Sequence, residues 1–383
     1  MKRFSVKKTR AILLTVIFSL SLVFLLEMTY LRGVTGRSAA PKNLYLLEAV
    51  IRLIRNDYLE EKDPAQTVDG SFRGLVNSLD GLSSYLDAEN TSRFLEQQAG
   101  PLNGPGLIIF KRYGAFPQVN GIIEGSPAEK QGLQLGDLLT EINGKATPAM
   151  SLTESNLRLY DKGELPLGLK VLRDEKTIDF QVGRILLFAE PIIYSGQEGT
   201  SGILSIPRMS GPCVSEIKAK IVPRLRAGEK HLIIDLRNCA EGNFEEARQF
   251  VNLFLKAESL GYFEKKGAPK EILASPEEPL LAKLPLIIWT NRGTMGPAEA
   301  AAGILKEFGR AKVVGLATPG MAARQAHFPL EDGSSVLLTS GVFCLNSGVE
   351  LLGRGVEPDV PVDSEDQSLQ SFLKKTRPLL TAS

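Results

Sequence analysis

Histidine and cysteine are scarce in this chain, which has two histidines and three cysteines among 383 residues. Cys213, Cys239 and Cys344 show no CxxC spacing, and with so few histidines they do not form a convincing metal-binding set. An odd number of cysteines also does not make a disulfide framework. We therefore expect semi-buried thiols, with no metal site and no cofactor.

An excess of charge of one sign is also lacking. The net charge is +1, and no basic stripe lies outside the N-terminus, so we expect no nucleic-acid partner. Hydrophobic residues make up 43% and charged residues 23%, which excludes a disordered or fibrous chain. Without its N-terminal segment, a chain of this length suggests about two or three domains.

The N-terminus combines a basic start with an apolar stretch. Met1–Arg10 contains basic residues and no acidic ones, and Ala11–Leu26 has no charge. The stretch is close to the roughly 20 residues that span a bilayer. A cleaved signal peptide and an uncleaved signal anchor both stay open, but an apolar region longer than a typical signal core favours an anchor over residues 1–32. The basic tail would then stay cytoplasmic and the rest would be exported.

Residues 43–99 show apolar positions at helical spacing. Asn43–Glu60 and Pro64–Leu79 each place these positions on one face, and Asn90-Thr91 can cap a third helix. These patterns predict a helical N-terminal segment with core-facing stripes and no chemistry of its own.

Short strands and turns replace this pattern from about Gly100. Leu107–Phe110 is an apolar strand, followed by GSPAEKQGL at 125–133, LGDLLTEINGK at 135–145 and VLRDEKTIDF at 171–180. These motifs resemble a PDZ domain, which we expect over residues 100–186.

The PDZ resemblance implies that a peptide C-terminus adds as a strand between the Leu107 strand and a helix near Leu152. The residues expected to bind it are Gly104, Gly106, Leu107, Ile108 and Ile109. Pro105 has no N–H, so the loop that would hold the terminal carboxylate lacks one donor. Weaker carboxylate capture is expected, and a module that only packs against its neighbours is the alternative.

The C-terminal half alternates strands and helices, which predicts an α/β core with a mixed sheet over residues 187–376. Its central stretch, Leu284–Phe328, holds a buried strand, a glycine-rich loop, an alanine-rich helix and a second strand around Val313–Val314. Many hydrolases mount a nucleophile on such a strand, loop and helix, because the helix N-terminus favours developing negative charge. Two further strands are predicted near Ser335–Ser340 and Val342–Leu345.

The pieces, taken in order, resemble the carboxyl-terminal processing (tail-specific) serine peptidases. The resemblance rests on the PDZ motifs together with DGSFRGLVNSLDGLSSYL at 69–86, IIDLRNCAEG at 233–242, GRAKVVGLATPGMAARQ at 309–325 and NSGVELLGRGVEPDV at 346–360. It implies a mixed α+β protein with a helical N-terminal segment, a PDZ domain and a crotonase-like α/β peptidase core.

The family cleaves with a serine–lysine dyad, in which a neutral lysine removes the serine proton. Matched to the family motifs, the serine position is Gly296 and the lysine position is Met321. Glycine has no nucleophilic atom, and a thioether does not take a proton at neutral pH. The resemblance therefore implies a catalytically inactive member.

Other positions of the family site are changed as well. Pro297 lacks the N–H expected to help hold the oxyanion, and losing one such donor costs about 100- to 1000-fold in rate. The partner loop carries Glu241 where negative charge would form. Gln325 matches the glutamine that follows the family lysine, and we expect it to support the loop.

Two functional hypotheses follow. The first is a membrane-anchored, exported pseudopeptidase that binds peptide or protein C-terminal segments, or an active peptidase or other protein of the cell envelope, without cleaving them. The second is a working endopeptidase with a non-standard constellation, either Cys239 with His327 or a threonine. A purely structural oligomer subunit is a further alternative. The family and the anchor together imply a single-pass protein of the bacterial inner (cytoplasmic) membrane, with its bulk on the periplasmic or extracytoplasmic side.

Overall fold

The computed structural model describes residues 42–59, 64–98, 103–163, 165–186, 192–195, 201–226 and 230–381. The predicted anchor at residues 1–32 lies outside them. Within the described ranges, no helix combines the length and apolar character needed to cross a membrane.

The elements are numbered in chain order. The helices are α1 (Lys42–Asp57), α2 (Pro64–Asn77), α3 (Ala88–Gln98), α4 (Pro127–Lys130), α5 (Leu152–Leu159), α6 (Cys213–Arg226), α7 (Phe244–Asn252), α8 (Pro297–Glu307) and α9 (Leu369–Thr381). The strands are β1 (Ser84–Leu86), β2 (Asn103–Gly104), β3 (Leu107–Phe110), β4 (Gln118–Ile122), β5 (Leu138–Ile142), β6 (Lys145–Ala146), β7 (Leu167–Arg173), β8 (Lys176–Val182), β9 (Ile185–Leu186), β10 (Ile193–Ser195), β11 (Ser201–Ser205), β12 (His231–Asp235), β13 (Ala257–Glu264), β14 (Glu271–Ser275), β15 (Leu286–Thr290), β16 (Ala311–Gly315), β17 (Ala323–Pro329), β18 (Ser335–Leu345) and β19 (Val360–Pro361).

The chain divides into two units, Met1–Val68 and Asp69–Ser383. Helix α1 belongs to the first unit and ends at Asp57, three residues before the predicted end. Its Ile51 and Ile54 are half-buried, whereas Leu46 and Leu53 are exposed. The PDZ and α/β regions both lie within the second unit.

Helix α3 begins earlier than the sequence predicted. Asp87 caps it, because its Oδ1 accepts a hydrogen bond from the Asn90 N–H at 2.8 Å. Asn90 and Thr91, the two expected caps, lie inside the helix, and the Thr91 hydroxyl is 3.2 Å from the Leu86 carbonyl and 2.9 Å from the Ser335 hydroxyl. The Thr91 side chain, which was expected to cap the helix, therefore contacts β18.

The PDZ region forms an antiparallel sheet in the order β3-β4-β5-β7-β8, with β6 paired to β5. Helix α4 follows from the GSPAEKQGL motif: Ser126 accepts from the Glu129 N–H at 3.3 Å, and Pro127 occupies the first turn. Helix α5 starts with a capping box between Ser151 and Glu154. Helix α5 lies where a helix was predicted near Leu152, whereas no helix was predicted at α4.

The core sheet has the order β10-β11-β12-β15-β16-β19. The neighbouring strands β11, β12, β15, β16 and β19 are parallel to one another. Strand β10 is antiparallel to β11, so the sheet is mixed. Every residue of β15 is buried, as in a sheet that is covered on both faces. The predicted mixed α/β class is confirmed. The carboxyl ends of β12, β15 and β16 lie on the same side of the sheet, and the loops that follow these strands form the candidate site.

A second sheet has the order β1-β18-β13-β14, with β17 also paired to β18. The prediction of two strands on either side of Gly341 was wrong, because β18 runs without interruption. Its register against β17 shifts between Arg324, which pairs with Gly341, and Gln325, which pairs with Thr339, so Ser340 is the extra residue of a bulge beside the glycine. Strands β13, β14 and β17 were not predicted, since their short segments mix charged and apolar residues.

A buried ion pair joins α2 to the PDZ helix α5. Arg73 Nη1 lies 2.9 Å from Glu154 Oε1, and the same guanidinium also pairs with Asp87. Asn90 Nδ2 donates to Glu154 Oε1 at 3.1 Å. The Glu154 side chain is fully buried, so its charge depends on these partners for compensation.

Replacing Arg73 by methionine is expected to lower the free energy of unfolding by about 3–5 kcal/mol, because the Glu154 carboxylate is left buried without its partner. Adding Glu154→Gln, which removes the uncompensated charge and keeps an acceptor oxygen for the Ser151 N–H, is expected to recover much of this loss. Urea unfolding followed by circular dichroism measures both variants.

Arg93→Met is the matched control, since Arg93 pairs with Glu89 one turn away at an exposed site. It is expected to cost under about 0.5 kcal/mol. Equal losses for Arg73→Met and Arg93→Met would contradict this account of the buried pair.

Candidate functional site

Gly296 occupies the turn between β15 and α8, where the sequence placed the nucleophile position. Its backbone has φ +58° and ψ −119°, a conformation that glycine adopts at little cost. Pro297 follows as the first residue of α8, so its missing N–H falls where no intrahelical bond is needed. The strand, sharp turn and helix of a nucleophile loop are thus present without a nucleophilic side chain.

Met321 lies directly beside this turn. A Cβ built on Gly296 would meet the Met321 carbonyl oxygen at 3.7 Å, an ordinary van der Waals contact. The Met321 side chain is buried and packs with Met295 and with core residues of the PDZ region, including Leu107 and Ile109. The two positions matched to the dyad are therefore adjacent in space and lie against the PDZ core.

Glu299 holds the two loops together. Its Oε2 accepts from the Gly296 N–H at 2.8 Å and the Met321 N–H at 2.6 Å, and its Oε1 accepts from the Gly320 N–H at 2.6 Å. The side chain is fully buried, and this desolvation raises the pKa of its carboxyl group despite the bonds that favour the charged form. The sequence reading missed this residue, although a glutamate at the third position of a helix is a recognisable capping signal.

A cavity of about 730 Å³ lies over these loops. The predicted site residues in its wall are Gly296, Pro297, Met321, Gln325, His327, Leu107, Ile108 and Ile109. Thr153, Asn156 and Tyr160, from α5 and the residue after it, complete the side formed by the PDZ region. The structure therefore brings the nucleophile loop and the strand expected to bind peptide into one cavity.

The loop after β12 contributes a carboxylate to this cavity. Ala240, Glu241 and Gly242 line it, and the Met295 N–H donates to the Cys239 carbonyl at 2.9 Å, which ties this loop to the turn before Gly296. Desolvation raises the pKa of Glu241, and the field of Arg208 opposes that shift. The carboxyl group of Glu241 thus lines the cavity at the position where the family resemblance places developing negative charge.

Gln325 has a structural contact. Its Nε2 donates to the Leu82 carbonyl at 2.7 Å, which connects β17 to the segment before β1.

Cys239 and His327 occupy different surroundings. The Cys239 thiol is fully buried in the main apolar cluster, and burial, with smaller contributions from nearby acidic groups, raises its pKa well above the usual range. His327 lies on β17, with its ring 5.3 Å from the ring of Phe94. Its Nε2 is buried and has no hydrogen-bond partner among the described residues, so no thiol–imidazole hydrogen bond forms through this atom.

The start of β3 shows how the expected peptide site is arranged. Gly106 has φ +86°, and a Cβ there would meet Ser126 Cβ at 2.2 Å, so this position requires glycine. Gly104 pairs with Ile185 of β9. The Tyr160 hydroxyl donates to the Leu107 carbonyl, and this hydrogen bond already satisfies a backbone acceptor at the start of the strand. No local sequence pattern predicts this contact, because it joins residues 53 positions apart.

The similarity to known proteins agrees with this arrangement. Residues 200–362 match the model of peptidase family S41, and residues 118–156 match a PDZ domain model. A probable CtpA-like serine protease of Staphylococcus aureus strain N315 is 27% identical over 338 residues, covering 88% of this chain and 68% of the relative. The carboxy-terminal processing protease CtpA of Bacillus subtilis strain 168 is 27% identical over 366 residues, covering 94% and 78%.

One solved structure supports the fold. The photosystem II D1 C-terminal processing protease aligns with a TM-score of 0.70 and 22% identity, over 85% of this chain and 89% of that protein. The chain is therefore related to the carboxyl-terminal processing serine peptidases that carry a PDZ domain, and it has their fold.

Gly296→Ser tests whether the turn still accepts a side chain. We expect a loss of about 1–3 kcal/mol from the backbone conformation alone, because the new Cβ has no close neighbour. Gly106→Ala is expected to cost more, since it adds a steric overlap with Ser126 to a similar φ penalty. Thermal unfolding of both variants is the measurement, and a larger loss for Gly296→Ser would overturn the prediction.

Glu299→Gln tests the link between the loops. The amide replaces one acceptor oxygen with a donor that faces backbone N–H groups, so we expect a loss of about 2–3 kcal/mol in unfolding free energy. Glu307→Gln on the same helix is the control, because Glu307 accepts from the Asn346 and Ser347 N–H groups at a solvent-exposed site. If both variants lose the same unfolding free energy, the burial of Glu299 does not strengthen the contribution of its hydrogen bonds to stability, and the prediction is wrong.

Proposed function

We propose that this protein is a pseudopeptidase, which holds peptide segments in the cavity between its PDZ region and its peptidase-like core without cleaving them. The observation that carries the proposal is the pairing of Gly296 with Met321 at the wall of that cavity. Covalent peptidase chemistry of this family needs a nucleophile and a base at these two positions. Neither residue supplies one.

The remaining groups at the site support the same conclusion. Pro297 provides no N–H to an oxyanion, and Glu241 adds a carboxylate to the same cavity. A missing oxyanion donor alone costs about 2.7–4 kcal/mol of transition-state stabilisation. Nucleophile, base and oxyanion donor are thus replaced together.

Peptide binding is supported by the shape and lining of the cavity. The cavity is continuous from β3 and α5 of the PDZ region to the turn at Gly296, and its apolar wall includes Met295 and Met321. Apolar concave sites with a few polar groups are typical of ligand-binding pockets. Strand addition beside β3 would give backbone affinity, with the side-chain pockets of the cavity giving specificity.

The alternative function, an endopeptidase with a non-standard constellation, has less support. Its candidate nucleophile Cys239 is fully buried, and its raised pKa disfavours the reactive thiolate. The proposal also includes a single-pass anchor at residues 1–32, extracytoplasmic placement of the remaining chain and a partner in the cell envelope. These parts rest on the N-terminal sequence and the family relationship.

The proposal is tested by incubating the purified full-length protein with an unstructured polypeptide that has an apolar carboxyl end. We expect binding, measured by fluorescence anisotropy, and no cleavage products on gels. Cleavage that disappears in the Cys239→Ala or His327→Ala variant would refute the proposal and establish the alternative.

Asn156→Arg should lower the binding affinity about tenfold or more, because the longer side chain enters the cavity from α5. Gln370→Arg is the control, since it makes the same amide-to-cation change at an exposed position of α9. Equal affinities for the two variants would show that peptides do not bind in this cavity.

A further inference from the structure

The PDZ side of the cavity ends at a tyrosine. Tyr160 directly follows α5 and lines the cavity, and its hydroxyl group donates a hydrogen bond to the Leu107 carbonyl at the start of β3. The Gly104-Pro105-Gly106 loop before β3 does not line the cavity, whose wall begins at Leu107 on this side. The Tyr160 hydroxyl group therefore marks the end of the cavity nearest to the loop that was expected to hold a peptide carboxylate.

The Leu107 carbonyl is an acceptor that an added peptide strand would need. Strand β3 is an edge strand, and the Gly106 carbonyl before it accepts from the Ile123 N–H at 2.9 Å, on the side of β4. Successive carbonyls along a strand point to opposite sides, so the Leu107 carbonyl points away from β4, to the edge where a peptide would add. The first N–H of an added strand thus meets an acceptor that already has Tyr160 as its partner.

Contacts with two other segments fix the backbone from which the Tyr160 ring extends. Gln97 Nε2, from α3, donates to the Tyr160 carbonyl. The next residue, Asp161, exchanges two backbone hydrogen bonds with Asn103, at 2.7 and 3.1 Å. The position of the tyrosine at the start of β3 is therefore set by the fold around it.

The groups that would capture a terminal carboxylate are also reduced at this end of the cavity. Pro105 has no N–H, so the loop before β3 lacks one donor. None of the PDZ residues described in the cavity wall is a lysine, arginine or histidine. A carboxylate without a cation or a full set of donors keeps the cost of its desolvation. A free carboxyl end therefore gains little here.

We propose that this cavity selects internal peptide segments, in which the chain continues past Tyr160, over free carboxyl ends. The inference rests on the proposed function, because it assumes that an extended segment is held beside β3. The next carbonyl on the open side of β3 belongs to Ile109, and pairing with the held segment starts there. An internal segment brings no terminal charge to this end of the cavity, so the missing donors cost it nothing.

The test uses one octapeptide of alternating valine and serine, labelled with fluorescein at its amino end. It is made with a free carboxylate, with a carboxyl amide and with a short glycine-serine extension, and binding to the purified full-length protein is measured by anisotropy. We expect the affinities of the three forms to agree within about twofold, because none of them depends on a terminal carboxylate. A site that holds the carboxylate by charged hydrogen bonds would favour the free acid over the amide by about tenfold or more, and that result would overturn the inference.

Tyr160→Phe keeps the ring and removes the hydroxyl group that occupies the Leu107 carbonyl. The freed carbonyl can accept from an added strand, so all three forms should bind about threefold to tenfold more tightly. Tyr113→Phe is the matched control, because it removes a hydroxyl group from an exposed tyrosine outside the cavity wall, and it should leave the affinities unchanged. Equal affinities for the two variants would also overturn the inference. If none of the forms binds, the proposed function fails, and the inference fails with it.

Discussion

The arrangement of the candidate site depends on one buried carboxylate. Glu299 accepts the backbone N–H groups of Gly296, Gly320 and Met321, so it fixes two loops that follow different strands of the core sheet. Its burial makes these bonds expensive to lose, because the freed carboxylate and amides have no solvent to replace them. The positions matched to the dyad of the related peptidases stay adjacent for this reason, although neither carries a reacting group.

This protein therefore has the loop geometry of a nucleophile site without residues that perform the chemistry of one. The turn at Gly296 keeps a positive φ and leaves space beside its Cα, and α8 begins at the next residue. Pro297 fits there because the first residue of a helix needs no N–H for the helix itself. A backbone that positions a nucleophile is thus compatible with residues that perform no peptidase chemistry. The function we propose uses the cavity that this backbone shapes.

The PDZ region contributes directly to that cavity. Met295 and Met321 pack into the same apolar cluster as Leu107 and Ile109, so the wall of the cavity and the PDZ core are one packed unit. The buried pair of Arg73 with Glu154 also joins α5, on the rim of the cavity, to the preceding helical segment. Both contacts join residues far apart in the chain, and interactions of this kind leave no local pattern in the sequence.

Sequence by itself determined the elements with strong local signals. The apolar run of β15, the caps of α4 and α5 and the glycine-rich turn at Gly296 each follow from neighbouring residues, and the ordered motifs indicated the mixed α/β fold. Tertiary structure decided the rest: the unbroken β18, the Tyr160 bond to Leu107 and the separate surroundings of Cys239 and His327. Contacts across the fold outweigh local propensity at these places, because burial and hydrogen bonding between distant residues contribute more free energy than a cap or a turn preference.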